Sequence, residues 1–356
     1  MLRLCLIGDS SSIHVVRWAQ HFSKGADVLV VSTRDAPIPG VRVEPLFASG
    51  SKLRKLLRIP RLRRLVKEFD ADIVHGHYLT VGGLYAVLSG GKRIVGSAWG
   101  SDIYDDPVKS LGSRILLRFV MRRCSLIFAG SRDAEETVRK YSYDGKVAIV
   151  RFGVDANAFK PSGEKTADEF SILHLRHCSR IYNPLVILEG FRLALPDIGN
   201  AYLYMLESGN QIGQIHSIVE SDANLRRHVR FIEWSSFDDV PGRYRSVDVA
   251  ISVPDSDSVA ASVMESMASE LVVITSDIPN MRELIEDGKT GYLISINASD
   301  LADRLRMAYS DRARSRRIGQ LARQRILDPK LNATWESNMR AAEDAYVQVM
   351  ATKPRR

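Results

Sequence analysis

The chain has 356 residues, enough for two domains of roughly 150 to 200 residues each. Apolar residues make up 45% and charged residues 26%, ordinary for a globular protein, and the absence of any run of about 18 apolar residues excludes a membrane span. The net charge of +8 equals the charge of one segment, Lys52 to Lys67, which holds eight cations and no acid. Cys5, Cys124 and Cys178 lie far apart without metal spacing, which argues for a reducing, cytoplasmic setting and against a disulfide framework or a zinc site. MLRLCLIGDS has too short an apolar run and no small-residue cleavage site, so it reads as a first strand and not as a signal peptide.

LRLCLIG reads as a buried parallel strand, DSSSIHVVRWAQHFSKG as a helix and ADVLVVST as the next strand. The first loop has only Gly8 and lacks the spaced glycines of a dinucleotide fingerprint. The basic segment KLRKLLRIPRLRRLVKEF is amphipathic, with Pro60 interrupting it. ADIVHGHYLTVGGLYAVLSG reads as strand, His-rich turn and helix; RIVGSAWGSDIY as strand and loop; RILLRFVMRRC, SLIFAGS, RDAEETVRKY and KVAIVRFGV as helix, strand, helix and strand. The polar stretch from Asn157 to Phe170 is the expected linker. A second alternating set begins at SILHLR and runs to about residue 330, with a helical tail over about 333–350. The reading is α/β: two doubly wound Rossmann-like domains, 1–160 and 168–330, facing across a cleft, with the tail packing back on the first.

The most informative stretch is Ser252 to Ile294, SVPDSDSVAASVMESMASELVVITSDIPNMRELIEDGKTGYLI. Asp257 falls in a turn after a buried strand, and Glu265 follows eight residues later on a helix. A carboxylate-bearing turn at the C-terminal end of a strand is where open α/β sheets bind ligands. This stretch resembles the motif of GT-B retaining glycosyltransferases of the family-four, group 1 type, in which two acids are separated by seven residues. Met267-Ala268, Val272-Val273, Asp287-Gly288 and Gly291 fall in step with it. DADIVHGHY, SAWGSDIY and RFGVDANAFKP resemble further stretches of the family, so the similarity covers most of the chain. There are departures: the first acid is Asp257 and not Glu, no glycine follows it, Glu270 and Leu271 replace a Gly-x pair, Tyr182 stands at the usual phosphate-binding lysine, and Trp99 stands where many relatives have a histidine.

The resemblance implies transfer of a sugar from a nucleoside diphosphate sugar with retention of configuration. A departing diphosphate with no metal needs cations and helix N-termini. Arg176 and Arg180, at the end of the first strand of the second half, suit that task. Glu265 has the lone pairs to accept hydrogen bonds from two ribose hydroxyls, a role the resemblance implies. Asp257 is assigned to the donor sugar or the acceptor near the anomeric carbon, with Ser258 helping or capping the helix. Gly8, Asp9 and Ser10 either hold acceptor or diphosphate, or form a plain strand–helix turn. His77 reads as a contact to sugar or phosphate, and Asp102 as a cleft residue or a helix cap. Asp255-Ser256-Asp257 has metal-motif spacing, but no metal or other cofactor is expected.

Lys52 to Lys67, with its interleaved leucines, resembles an interfacial helix lying on an anionic membrane. No aromatic interleaving favours nucleic acid. The expected partners are therefore a nucleotide-sugar donor, a glycan or lipid-linked acceptor as in polysaccharide assembly, and an anionic membrane surface at the inner face. Two other readings share the architecture: a nucleotide-sugar epimerase, and a catalytically degenerate GT-B partner subunit.

Overall fold

The computed structural model describes residues 1–49, 51–161, 169–234, 236–258 and 260–352, without the side chains of Lys52 and Leu53. The chain divides into two compact units, Met1–Phe152 with Asn338–Arg356, and Gly153–Ser337.

Unit 1 runs β1 (Arg3–Gly8), α1 (Ile13–Phe22), β2 (Asp27–Ser32), β3 (Arg42–Glu44), α2 (Lys52–Leu56), α3 (Ile59–Glu68), β4 (Ile73–His77), a π-helical turn (Tyr78–Gly83), α4 (Leu84–Leu88), β5 (Ile94–Ala98), α5 (Ser101–Tyr104), α6 (Asp106–Lys109), α7 (Leu111–Met121), β6 (Leu126–Ala129), α8 (Arg132–Lys140) and β7 (Lys146–Ile149). Its seven strands are ordered β3-β2-β1-β4-β5-β6-β7, all parallel. The strands are continuous apolar runs because both sheet faces are covered. One face packs under α3, α4, α7 and α8 through Leu62, Ala86, Val120 and Val138. The other carries Trp18 of α1.

Unit 2 runs β8 (Phe170–His174), a 3₁₀ turn (Arg180–Tyr182), α9 (Pro184–Ala194), a 3₁₀ turn (Leu195–Asp197), β9 (Ala201–Leu206), α10 (Ile212–Ser221), α11 (Ala223–His228), β10 (Val229–Ile232), α12 (Val240–Arg245), β11 (Val249–Ser252), α13 (Ala261–Ala268), β12 (Val272–Ser276), α14 (Pro279–Leu284), β13 (Tyr292–Ile294), α15 (Ala298–Ser310) and α16 (Arg312–Leu327). The last helix, α17 (Trp335–Ala351), returns to unit 1. The sheet order is β10-β9-β8-β11-β12-β13, again all parallel. In each unit the winding direction reverses beside the first strand, between β1 and β4 and between β8 and β11. These are the switch points where such sheets bind ligands.

Three features differ from the sequence reading. His75 and His77 belong to β4 itself and not to a turn. The short elements β3, α11 and α12 have too few residues to show a period. The expected linker contains residues 162–168, which lie outside the described residues, while Phe159 within it and Val154 ahead of it are buried in the core of unit 2. Unit 2 begins at Gly153, and these apolar side chains fill part of its core.

Candidate active site

At the switch point of unit 2, β8 ends in His174 and the chain turns through Leu175 and Arg176. β11 ends in Ser252 and turns through Asp255 and Asp257 into α13. The two turns hold each other. The Asp255 N–H donates to Ile181 O at 2.8 Å, and Asn183 Nδ2 donates to Asp255 Oδ1 at 2.7 Å. Asn183 is left-handed, at φ +47, and hands the chain directly to Pro184 at the start of α9, where a missing N–H costs nothing.

On this frame Arg176 meets Asp257. Arg176 Nη2 lies 3.0 Å from Asp257 Oδ2, and Nη1 donates to Ser262 Oγ at 3.1 Å. The guanidinium also lies 4.1 Å from the centroid of the Tyr182 ring. Tyr182 thus supports the cation by its ring face, where the family's usual residue would supply a second positive charge. The other oxygen of Asp257, Oδ1, accepts the Ala260 N–H at 3.0 Å and ties the turn to α13. Ala260 is left-handed at φ +47, a conformation that favours glycine, which is where the motif's missing glycine shows its cost. Both members of the ion pair keep some exposure, 18% for Arg176 and 10% for Asp257, so they border solvent.

One turn further along α13, Glu265 is half-buried, and Tyr244 donates to its Oε2 at 3.4 Å. Burial, and then the charge of Glu265, raise the Tyr244 hydroxyl well above its usual range, so it remains a donor. A small cavity of about 10 Å³ beneath is lined by Arg176, Tyr244, Ser252, Ser262 and Ser266. Ser258 is buried and its hydroxyl has no partner among the described residues. Arg180 is exposed in the 3₁₀ turn. Unit 2 therefore brings together Arg176 from the turn after β8 and Asp257, Ser258 and Glu265 from the turn after β11 and the start of α13. A larger cavity of about 680 Å³ lies elsewhere, in unit 1, lined by Phe22, Tyr346 and Met350 together with His21, Lys24, Asp72 and Glu343.

The corresponding edge of unit 1 is different. Gly8 ends β1, and a Cβ there would meet Val15 Cγ2 at 2.8 Å and His77 Cβ at 3.1 Å, so the position excludes a side chain. Asp9 accepts from the Ser11 N–H at 2.8 Å and the Ser11 hydroxyl at 2.6 Å. Ser10 is buried, its N–H donating to Ser32 Oγ at 3.0 Å and its hydroxyl accepting from Ser32 at 2.8 Å. These are the bonds of a strand–helix turn.

His77 is 1% exposed, among Trp18, His75 and Trp99. Both histidines of β4 lie in the layer of Trp18, so His77, read as a contact to sugar or phosphate, is packed among aromatic rings. Trp99 Nε1 donates to His77 Nδ1 at 3.2 Å, so the proton of His77 is on Nε2, which has no partner among the described residues. Burial, and then His14, push His77 down to about 3, so it is neutral.

Asp102, read as a cleft residue or a helix cap, is held by backbone N–H groups. It is fully buried, with Oδ1 accepting the N–H groups of Trp99 at 3.1 Å and Gly100 at 2.9 Å, and Oδ2 that of Leu79 at 2.8 Å. Burial pushes its carboxyl up to about 6 against the pull of these donors. It holds the β5–α5 loop to the π-helical turn and does not reach solvent.

The sequence reading missed Ser262, Tyr244 and the role of Tyr182. Only Tyr182 gave a signal, as a departure from the motif. Residues 3–131 match the model described as glycosyl transferase 4-like, and residues 157–325 match glycosyl transferases group 1. The chain belongs to the group 1 GT-B glycosyltransferases.

A D-inositol 3-phosphate glycosyltransferase of Paenarthrobacter aurescens is 25% identical over 322 residues, 80% of this chain and 78% of the relative. Spore coat protein SA of Bacillus subtilis is 27% identical over 56% of this chain, and the match spans 58% of its length. Among solved structures, sucrose-phosphate synthase of Thermosynechococcus elongatus has a TM-score of 0.81 at 16% identity, covering 99% of this chain and 100% of its own. Anabaena HepE in complex with UDP-glucose has a TM-score of 0.78 at 16% identity, covering 98% and 100%. At these identities the structures speak for the fold alone. The two-domain α/β architecture is that of GT-B enzymes, and the chain is a glycosyltransferase.

Proposed function

We propose that this glycosyltransferase retains anomeric configuration and moves a sugar from a nucleoside diphosphate sugar to a membrane-associated or polysaccharide-precursor acceptor. The observation that supports it most is the Arg176–Asp257–Ser262 cluster beside the start of α13, with Glu265 one turn into the helix. Arg176 is positioned to take the charge of a departing diphosphate. Glu265 accepts from the ribose hydroxyls. HepE, of the same fold, is a structure with UDP-glucose bound, which favours a nucleotide-sugar here.

In the reaction, the bond from C1 to the phosphate oxygen breaks while the acceptor oxygen bonds to C1 on the same face. The leaving phosphate takes the proton of the acceptor hydroxyl. Asp257 orients the sugar and keeps Arg176 in place. The eight cations of Lys52–Lys67 draw the enzyme to an anionic membrane that carries the acceptor.

A thermal-stability screen of UDP-, GDP-, ADP- and TDP-sugars identifies the donor, because a ligand of the folded state raises stability by mass action. Product stereochemistry by NMR tests retention, and an inverted product overturns it. Conversion of the donor without any acceptor would mark an epimerase instead.

A further inference from the structure

Large apolar side chains crowd one rim of unit 1. Leu56 is 50% exposed, Leu57 74%, Val81 49%, Val108 73%, Leu111 71% and Ile115 59%. They come from three segments far apart in sequence: the junction of α2 and α3, the π-helical turn, and α6 with the start of α7. All three segments follow the C-terminal ends of strands on the same sheet face. α3 packs on α4, α4 on α7, and the π-helical turn on α7.

A second basic helix accompanies this rim. From Leu111 to Arg123 the chain carries Arg114, Arg118, Arg122 and Arg123 and no acid. Leu111 and Ile115 are four residues apart, and Arg114, Arg118 and Arg122 form the adjoining stripe at the same spacing. Arg114 is exposed and forms no ion pair among the described residues. A surface hollow of about 370 Å³ is lined by Ile115, Arg118, Phe119, Arg122 and Arg123. On α2 and α3, Arg54, Arg61, Arg64 and Lys67 are also exposed and form no ion pair among the described residues.

We propose that α6–α7 is a membrane-inserting edge: Val108, Leu111 and Ile115 enter the acyl boundary of an anionic phospholipid bilayer, and the α7 arginines bind its phosphates. Apolar residues beside a cationic stripe are the pattern of a helix lying in the interface. A second copy of the chain fits this face poorly, because a two-fold contact would set arginines against arginines. The proposal deepens the membrane reading of Lys52–Lys67, since insertion adds a salt-resistant component to an attraction that salt screens. It also brings the lipid surface to the ligand edge of the unit 1 sheet.

Co-sedimentation of the full chain with phosphatidylcholine vesicles, with and without phosphatidylglycerol, tests it. The parent protein is expected to bind the anionic vesicles, and Leu111→Glu with Ile115→Glu to weaken that binding by at least about tenfold. The native cysteines are buried, so Ile115→Cys labelled with an environment-sensitive dye reports insertion directly, by a blue shift with anionic vesicles. Undiminished sedimentation of the double variant, no blue shift, or no vesicle binding by the parent overturns the proposal. Loss of binding in Arg61→Glu with Arg64→Glu, but not in the α7 variant, leaves the charge attraction standing and removes the inserting edge. A concentration-dependent dimer abolished by the α7 variant, without vesicle binding, assigns the face to a second copy and overturns it. Donor-induced thermal stabilisation, retained in each variant, shows that the variant is folded and keeps the outcome separate from the glycosyltransferase reading.

Discussion

The two switch points have the same topology and use their polar residues in opposite ways. At the edge of unit 1, Ser10 and Asp102 are buried and their oxygens are taken by backbone N–H groups and a neighbouring serine. At the edge of unit 2, Arg176 and Asp257 pair with each other while bordering solvent. A polar residue in a buried loop mostly satisfies the chain around it. A charged pair that keeps a solvent-facing side can exchange one partner for a ligand. The same residue types thus build a scaffold in one unit and a candidate site in the other.

The contrast breaks most clearly under paired substitutions. Arg176→Ala should lower kcat/KM by about 10² to 10³, the scale of losing a donor to developing charge, and abolish donor-induced stabilisation with little change in the unliganded Tm. Asp102→Ala should do the reverse. It orphans three buried N–H groups, each costing roughly 1–3 kcal/mol, yet donor stabilisation should persist. If Asp102→Ala removes donor binding at unchanged stability, the distinction between the edges fails.

Acidification extends the comparison to both cores. Unfolded histidines take a proton below about 6.5. Burial lowers His77 to about 3 and His174 to about 4, and lowers His75 well below its usual value. Because the folded state binds these protons more weakly, stability is whole above pH about 6.5 and is lost as the pH falls, until the folded groups themselves titrate. Each contributes a slope of roughly 1.4 kcal/mol per pH unit. Chemical denaturation from pH 7 downward measures this, and His174→Gln should flatten it by about one proton.

The smallest effect tests a single backbone angle. Glu270 is left-handed, at φ +60, just past α13. Glu270→Gly should stabilise by up to about 1 kcal/mol, measured as a rise in denaturation midpoint without loss of activity.

Much of the fold was legible because parallel strands buried on both faces leave continuous apolar runs in the sequence, as LRLCLIG and ADVLVVST do. The Asp257–Glu265 spacing was legible for a similar reason: both acids belong to one turn and its helix. The Arg176–Asp257 pair was not, since its partners are 81 residues apart and each suits a ligand by itself. Nor could the sequence distinguish a buried Asp102 from an exposed one. A carboxylate that caps a loop and one that faces substrate use the same residue in the same polar context, and only packing separates them. His75 shows the limit most plainly: its ring bonds Tyr346 at 2.6 Å across 271 residues, and Ser97 at 2.7 Å.

The bond to Tyr346 bears on how the protein is made. Tyr346 also accepts from Trp18 Nε1 at 3.0 Å, so the layer over β4 is completed by the final helix. During synthesis unit 2, spanning Gly153–Ser337, emerges whole before α17 is finished. Unit 1, though its strands emerge first, must hold Trp18 and His75 without their partner until residue 346 leaves the ribosome. The first unit translated is the last to close.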